Sequence, residues 1–199
     1  ECVITNLVGT RNALEAARAA GASHFTLVSS DKAAAPACVM GASKRLAELH
    51  LLAYQSERGL EMSCKSVRFG NVLGSQGSVL PRFTAQIASG GPLTVTHAEM
   101  ERFFMSPEDA VGLILSVTAA PGDSGTYFMQ MGEAVSILEM AREMIARSEH
   151  EVAIEFTGLR EGEKLKEILY DANECASRSE MAGVFRVTPL SDNADVSSA

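Results

Sequence analysis

Apolar positions along this chain follow two spacings in turn, one typical of helices and one typical of buried strands. Apolar residues at helical spacing from Val3 to Ala20 predict a first helix, which Gly21 ends. The pattern then predicts a strand at His24 to Val28, a helix at Gly41 to Arg58 ended by Gly59, and a strand at Met62 to Arg68. Strands that alternate with helices of about ten residues or more are typical of parallel βαβ units.

The rest of the chain continues the same alternation with shorter elements. Helices are predicted at Pro81 to Ser89, Ser106 to Ala119, Ser136 to Arg147 and Leu165 to Tyr170, and strands at Leu93 to Thr96, Gly125 to Gln130 and Val152 to Phe156. The pattern therefore predicts an α/β fold with a doubly wound, Rossmann-like parallel sheet. The residues from 190 to 199 have no apolar period, so we expect a disordered tail there.

A doubly wound domain that binds a dinucleotide carries a glycine-rich turn between its first strand and first helix. No G-x-G-x-x-G occurs here in that setting, because Gly70, Gly74 and Gly77 follow a later strand. We therefore expect the chain to begin midway through such a domain. The sheet would then have an unpaired edge where the first strand belongs.

The composition excludes several classes of partner and site. A net charge of −8 argues against sequence-independent binding to nucleic acid or to an anionic membrane. No apolar run reaches the roughly 18 residues of a membrane span and no signal peptide is evident, so the chain is expected to be cytoplasmic. The four cysteines and four histidines show neither disulfide nor metal-ligand spacing, and we expect no metal site.

Candidate chemistry follows the strand at His24 to Val28, where a hydroxyl, an acid and a base are adjacent in Ser29-Ser30-Asp31-Lys32. Lys44 lies in the next helical pattern and can return toward the same strand end. From the residues alone, a turn with solvated charges remains open for this corner. Ordinary turn chemistry for the glycine-rich loop after Arg68, and surface salt bridges for Arg102 and Arg160, remain open as well.

Five stretches in order carry a family resemblance: T-N-L-V-G-T-R-N at Thr5 to Asn12, S-S-D-K through V-M-G-A-S-K at Ser29 to Lys44, V-R-F-G-N-V-L-G-S-Q-G-S-V-L-P-R-F at Val67 to Phe83, G-G-P-L-T-V-T-H-A-E-M-E-R-F-F-M at Gly90 to Met105, and G-L-R-E-G-E-K-L at Gly158 to Leu165. The sequence resembles the extended short-chain dehydrogenase/reductases, specifically the CapD-like UDP-N-acetylglucosamine 4,6-dehydratases of polysaccharide biosynthesis. The resemblance implies that residues 1–70 are the carboxyl-terminal half of an NAD(P)-binding domain. It also implies that residues 71–189 form a small substrate-binding region interleaved with the last sheet elements.

The resemblance also assigns roles to individual residues. Asp31 matches the family's acid and Lys32 its base, Ser30 would bond the sugar O4, and Lys44 would hold the nicotinamide ribose. The implied catalytic set is Ser30, Asp31, Lys32, Met40 and Lys44, the implied cofactor contacts are Ser29, Lys44, Phe69 and Gly70, and the implied substrate contacts are Asn71, Arg102 and Arg160.

Met40 stands where the superfamily's Y-x-x-x-K motif has its tyrosine, four residues before Lys44. A thioether is a weak acceptor and cannot shuttle a proton, so the group that accepts the sugar O4 proton stays open. Some long dehydratases of the family are similar in having methionine at this position, so the resemblance favours that branch over tyrosine-dependent enzymes. The implied reaction is NAD- or NADP-dependent loss of water from a UDP-N-acetylhexosamine, giving a 4-keto-6-deoxy sugar. A nucleotide-sugar epimerase and a non-catalytic nucleotide-sugar-binding module remain alternatives.

The resemblance further implies properties of the full-length protein. It is expected to be a homo-oligomer, and long members of the family have preceding membrane helices that would anchor it to the inner membrane. The 199-residue chain alone is expected to be inactive, because it lacks the glycine-rich cofactor loop.

Overall fold

The computed structural model describes residues 1–58, 62–75, 77–122 and 124–190. A π-helical turn at Ile4–Val8 leads into the first of five α-helices, and a 3₁₀ turn spans Asp31–Ala33. The α-helices are α1 (Gly9–Ala19), α2 (Val39–Arg58), α3 (Val79–Ala88), α4 (Pro107–Ala119) and α5 (Ile137–Ala146). The strands are β1 (His24–Val28), β2 (Ser63–Arg68), β3 (Asn71–Val72), β4 (Leu93–Val95), β5 (Glu101–Arg102), β6 (Phe104–Met105), β7 (Gly125–Met129), β8 (Val135–Ser136), β9 (Ile154–Phe156), β10 (Glu174–Arg178) and β11 (Val184–Pro189).

The main sheet has five strands in the order β1-β2-β7-β11-β10. The first three strands are parallel, with Leu27 opposite Ser66 and Val67 opposite Tyr127, which confirms the α/β prediction. The last two strands are antiparallel to their neighbours, so the sheet is mixed rather than wholly parallel. The periodicity had not predicted this carboxyl-terminal hairpin.

The main sheet has helices on both faces. Cys64 and Val67 on β2 point to opposite sides, as strand alternation requires. Cys64 packs with Leu14 of α1 and Leu51 of α2, whereas Val67 packs with Leu113 of α4. A separate cluster, built on Phe83, Leu93, Val95 and Ile137, joins α3, α5 and β4 into a smaller unit beside the sheet. The expected division of the chain at residue 70 into a cofactor-binding half-domain and a substrate-binding region stays a prediction.

The predicted helix at Leu165 to Tyr170 is wrong, because this segment is an irregular loop. The Leu165 carbonyl accepts hydrogen bonds from the Glu101 backbone N–H and the Arg102 guanidinium. The Leu169 carbonyl accepts one from Arg68 at 2.8 Å. These carbonyls are paired with donors from distant parts of the chain, so they do not form the i to i+4 ladder of a helix.

Two other sequence predictions concern residues that the structure does not describe. Gly59 as the end of α2 and the tail beyond residue 190 lie outside the described residues. Leu190 itself still donates a backbone hydrogen bond to the Asn173 carbonyl at 2.8 Å. Among the described helices, none combines the length and hydrophobicity that crossing a bilayer requires.

A buried ion cluster links three elements of the fold. Arg68, at the end of β2, has no exposed side-chain surface and lies between Glu48 of α2 and Glu174 of β10. Its guanidinium donates to both carboxylates over distances of 2.7 to 2.9 Å. Arg45, which lies one turn before Glu48 on α2, pairs with the same two carboxylates. The Ser29 hydroxyl donates to Glu48 at 2.6 Å and joins the end of β1 to the cluster.

The cluster keeps its charges despite burial. Burial disfavours the guanidinium form of Arg68, but hydrogen bonds to Glu48 and Glu174 outweigh it and raise the pKa of Arg68. Burial likewise disfavours the ionised form of Glu174, yet its bonds with Arg68 hold its pKa below the ordinary 4.5. Each ion is thus stabilised by partners that are themselves charged and hydrogen-bonded.

Arg68→Met should lower the free energy of unfolding by about 3–5 kcal/mol, because it leaves two buried carboxylates without their main donor. Chemical denaturation at neutral pH measures this change. Arg142→Met is the matched control, since Arg142 pairs with Glu139 on the surface and should cost under about 0.5 kcal/mol. Equal costs for the two variants would contradict the importance assigned to the cluster.

Glu174→Gln should have a pH-dependent cost. A carboxyl group whose pKa is lowered by folding stabilises the protein above its unfolded pKa and loses that contribution as pH falls through its folded pKa. The difference in unfolding free energy between wild type and Glu174→Gln should therefore be constant from about pH 6 to 8 and shrink below the ordinary value of 4.5. If this difference in unfolding free energy grew on acidification, folding would not lower the pKa of Glu174.

Candidate active site

A cavity of about 480 Å³ opens beside the carboxyl ends of β1 and β2. Its walls come from the segment between the 3₁₀ turn and the start of α2, from residues 71–75 and 77–82, from the segment between Thr96 and Phe104, from Ile137 of α5, and from the loop that contains Arg160 to Glu167. Five residues singled out in the sequence line it, namely Lys32, Met40, Asn71, Arg102 and Arg160. Open α/β sheets bind ligands at this edge, so the cavity is the candidate active site.

The acid and the base predicted from the sequence are in direct contact. Asp31 is only 1% exposed, and its Oδ1 lies 3.0 Å from Nζ of Lys32. The Ser30 hydroxyl donates to the same Oδ1 at 2.9 Å. The other oxygen, Oδ2, accepts no hydrogen bond from any residue that the structure describes. Lys32 extends from this pair to the cavity wall, whereas Asp31 lies behind it.

The backbone around this pair is held on two sides. The Asp31 backbone N–H donates to the Phe69 carbonyl at 2.8 Å, which joins the ends of β1 and β2. On the other side, Gly41 of α2 packs on the Lys32 carbonyl so closely that a Cβ would lie 2.3 Å from the oxygen. A glycine is therefore required at this position of the M-G-A-S-K motif.

Lys44 returns to the strand end as the sequence suggested. Its Nζ donates to the Val28 carbonyl at 2.9 Å. Burial lowers the pKa of Lys44, partly opposed by the charge of Glu48 one turn later on α2. Met40, one turn before Lys44, places its side chain in the cavity wall.

The other predicted cofactor contacts serve the packing of the protein. The Ser29 hydroxyl donates to Glu48, and Phe69 lies in the core. Gly70 packs against the Phe103 carbonyl, from which a Cβ would be only 2.8 Å away. None of these three is among the described residues that line the cavity, and their cofactor roles stay predictions.

One wall of the cavity is cationic. The buried Arg102 donates to the Glu101 and Leu165 carbonyls, and its Nη2 lies 3.7 Å from Glu163. Arg160 is exposed and its backbone N–H donates to Glu163 at 3.1 Å. Among the described residues lining the cavity, five are cationic and three are carboxylates, in a chain of net charge −8. The local excess of positive charge suits an anionic ligand.

Comparison with known proteins identifies the family of this chain. Residues 1–189 match the family model described as "Polysaccharide biosynthesis protein". The chain belongs to this family. It is 41% identical to the capsular polysaccharide biosynthesis protein CapD of Staphylococcus aureus, covering 94% of this chain and 31% of CapD. It is 45% identical to the probable polysaccharide biosynthesis protein EpsC of Bacillus subtilis, covering 87% and 29% respectively.

Further relatives extend the comparison to other activities. A UDP-glucose 4-epimerase of Rickettsia rickettsii is 37% identical, over 94% of this chain and 55% of the epimerase. Among solved structures, Pen from Bacillus thuringiensis superimposes with a TM-score of 0.84 at 31% identity, covering 94% of this chain and 59% of Pen. The chain therefore spans about a third of CapD and EpsC and somewhat over half of the epimerase and Pen.

The structure adds cavity residues that the sequence analysis did not single out. These residues include four with charged side chains, namely Arg82, Glu163, Lys164 and Glu167. One signal was available for Arg82, because it is the only charged residue of α3. The other three come together with the corner at Asp31 and Lys32 through tertiary packing: the Lys164 Nζ donates to the Ala34 carbonyl at 3.0 Å.

Gly41→Ala should disturb the site, because its added Cβ must displace the Lys32 backbone or the start of α2. We expect a loss of about 1–3 kcal/mol in unfolding free energy. Gly112→Ala is the matched control, because Gly112 is also helical and nothing lies within 4 Å of a Cβ there. That variant should be neutral or stabilised by up to about 1 kcal/mol. Thermal and chemical denaturation compare the two, and equal stability of both variants would refute the close packing.

Proposed function

We propose that this chain provides the acid, the base and the sugar-nucleotide site of an NAD(P)-dependent UDP-N-acetylhexosamine 4,6-dehydratase. The observation that carries the proposal is the contact of 3.0 Å between Asp31 and Lys32 beside a cavity with a cationic wall. Membership of the polysaccharide biosynthesis family supports a substrate from glycan metabolism.

The contact between Asp31 and Lys32 supplies both proton carriers that dehydration needs. Transfer of one proton from Nζ to Oδ1 converts the ion pair into a neutral amine and a neutral carboxylic acid. The amine of Lys32 then takes the proton from C5 of a 4-keto sugar, while Asp31 gives its proton to the C6 hydroxyl, which leaves as water. The original ion pair is restored, so protons balance over the step.

The cationic wall fits the diphosphate of the substrate. Arg102 and Arg160 both line the cavity, and guanidinium groups bind phosphate oxygens in pairs of hydrogen bonds. Asn71, the first residue of β3, adds an amide that can donate to the same phosphate oxygens.

A nicotinamide cofactor would accept hydride from C4 and return it to C6 of the sugar; the O4 proton would leave with the first transfer and C5 would take up one proton with the second, so the net change is loss of one water. Lys44 fits such a group, since among the described residues its ammonium donates to the Val28 carbonyl and its other hydrogens can donate to ribose hydroxyls. The lowered pKa of Lys44 shows that its charge lies in partly desolvated surroundings, where hydrogen bonds to a ribose are stronger than in water.

A nucleotide-sugar epimerase is the second candidate, because a UDP-glucose 4-epimerase is among the relatives at 37% identity. Met40 weakens only an epimerase that depends on the tyrosine of Y-x-x-x-K, because dehydration also begins with loss of the O4 proton, for which a thioether is no acceptor. The two functions differ in their products. Dehydration yields a 4-keto-6-deoxy sugar, and epimerisation yields an isomer of unchanged mass.

The deciding experiment incubates UDP-N-acetylglucosamine and NAD or NADP with the full gene product that contains residues 1–199, and follows the products by mass spectrometry. We expect loss of one water. Asp31→Asn and Lys32→Met should each reduce turnover by about 100-fold or more. Lys166→Met is the control, because Lys166 is exposed, pairs with Glu101, and is not among the described residues of the cavity wall. A C4 epimer as the only product would defeat the dehydratase proposal.

A further inference from the structure

Glu167 is a carboxylate of the cavity wall that the proposed mechanism leaves unused. Its side chain is only 5% exposed, and it lies in the loop between Arg160 and the main ion cluster. Its Oε2 is buried and accepts no hydrogen bond from any residue that the structure describes. The Lys164 ammonium lies 3.6 Å from this oxygen, which is beyond hydrogen-bond distance.

Glu167 differs in this respect from the structural carboxylates of the same protein. Glu48 and Glu174 are equally buried, and each accepts short hydrogen bonds from the Arg68 guanidinium on both of its oxygens. A buried carboxylate oxygen without a donor is costly, so its persistence needs a reason. Glu167 lines the cavity and its Oε2 is ion-paired with Lys164 at 3.6 Å without a hydrogen bond, so a ligand donor that reaches this oxygen would supply one.

The position of Glu167 indicates which part of a ligand it meets. Its neighbour Lys164 is fixed to the Ala34 carbonyl, two residues beyond Lys32. The same loop packs on that segment at Gly162, where a Cβ would lie 2.5 Å from the Ala37 carbonyl. Glu167 is therefore tied to the segment that carries the base. A carboxylate also repels phosphate, so the diphosphate is not its partner.

We propose that Glu167 accepts a hydrogen bond from a hydroxyl or N–H group of the hexose in the bound sugar nucleotide. This inference rests on the proposed function, because it assumes that a UDP-sugar occupies the cavity. Glu167 then determines specificity: it favours a hexose that presents a donor at this point, since a sugar without one leaves the carboxylate unpaired.

Isothermal titration calorimetry of the 199-residue chain tests the proposal with two probes, UDP and UDP-N-acetylglucosamine. In wild type the hexose should add affinity beyond that of UDP. Glu167→Gln keeps the size of the side chain but removes its charge, and should weaken binding of UDP-N-acetylglucosamine about tenfold while leaving UDP binding unchanged. Glu151→Gln is the matched control, because Glu151 is exposed and is not among the described residues of the cavity wall.

Each other outcome contradicts one part of the proposal. Unchanged binding of both probes by Glu167→Gln would overturn the contact, and equal weakening of both would assign it to the nucleoside diphosphate instead of the hexose. A markedly lower melting temperature of the ligand-free variant would show that Glu167 serves the fold. If wild type binds neither probe, the proposed function fails, and this inference fails with it.

Discussion

The fold and the site both depend on the buried guanidinium of Arg68. It lies between Glu48 of α2 and Glu174 of β10. It therefore joins the helix that follows the corner at Asp31 and Lys32 to the hairpin at the end of the sheet. The same cluster includes the hydroxyl of Ser29, the residue before the corner. Charges buried this deeply are tolerated only when every one is paired, so the three elements must come together in one arrangement.

The acid–base corner is built on this frame by backbone contacts. The end of β1 is joined to the end of β2 through Asp31, and α2 approaches through Gly41 until it touches the Lys32 carbonyl. A third contact comes from the far end of the chain, where Gly162 packs on Ala37. These contacts leave little room for the corner to move, which suits a pair of side chains that exchange a proton at hydrogen-bond distance.

Charge is distributed unevenly over the molecule. The chain as a whole is acidic, yet the described part of the cavity wall carries more cations than carboxylates. The net charge of the whole chain therefore does not reveal a local anion site. Within that wall the carboxylates differ: Glu163 lies near Arg102, whereas one oxygen of Glu167 accepts no hydrogen bond among the described residues.

The sequence alone determined the alternation of strands and helices, the family, and the identity of the corner at Ser30, Asp31 and Lys32, because those features depend on residues close together in the chain. Only the tertiary structure decided the burial of Arg68 and Glu167 and the hairpin of β10 and β11. Arg68 finds Glu174 more than a hundred positions away. The segment from 165 to 170 has a helical pattern, but its carbonyls bond to Glu101, Arg102 and Arg68. Partners so distant leave no periodic trace in the sequence, so local patterns could not reveal them.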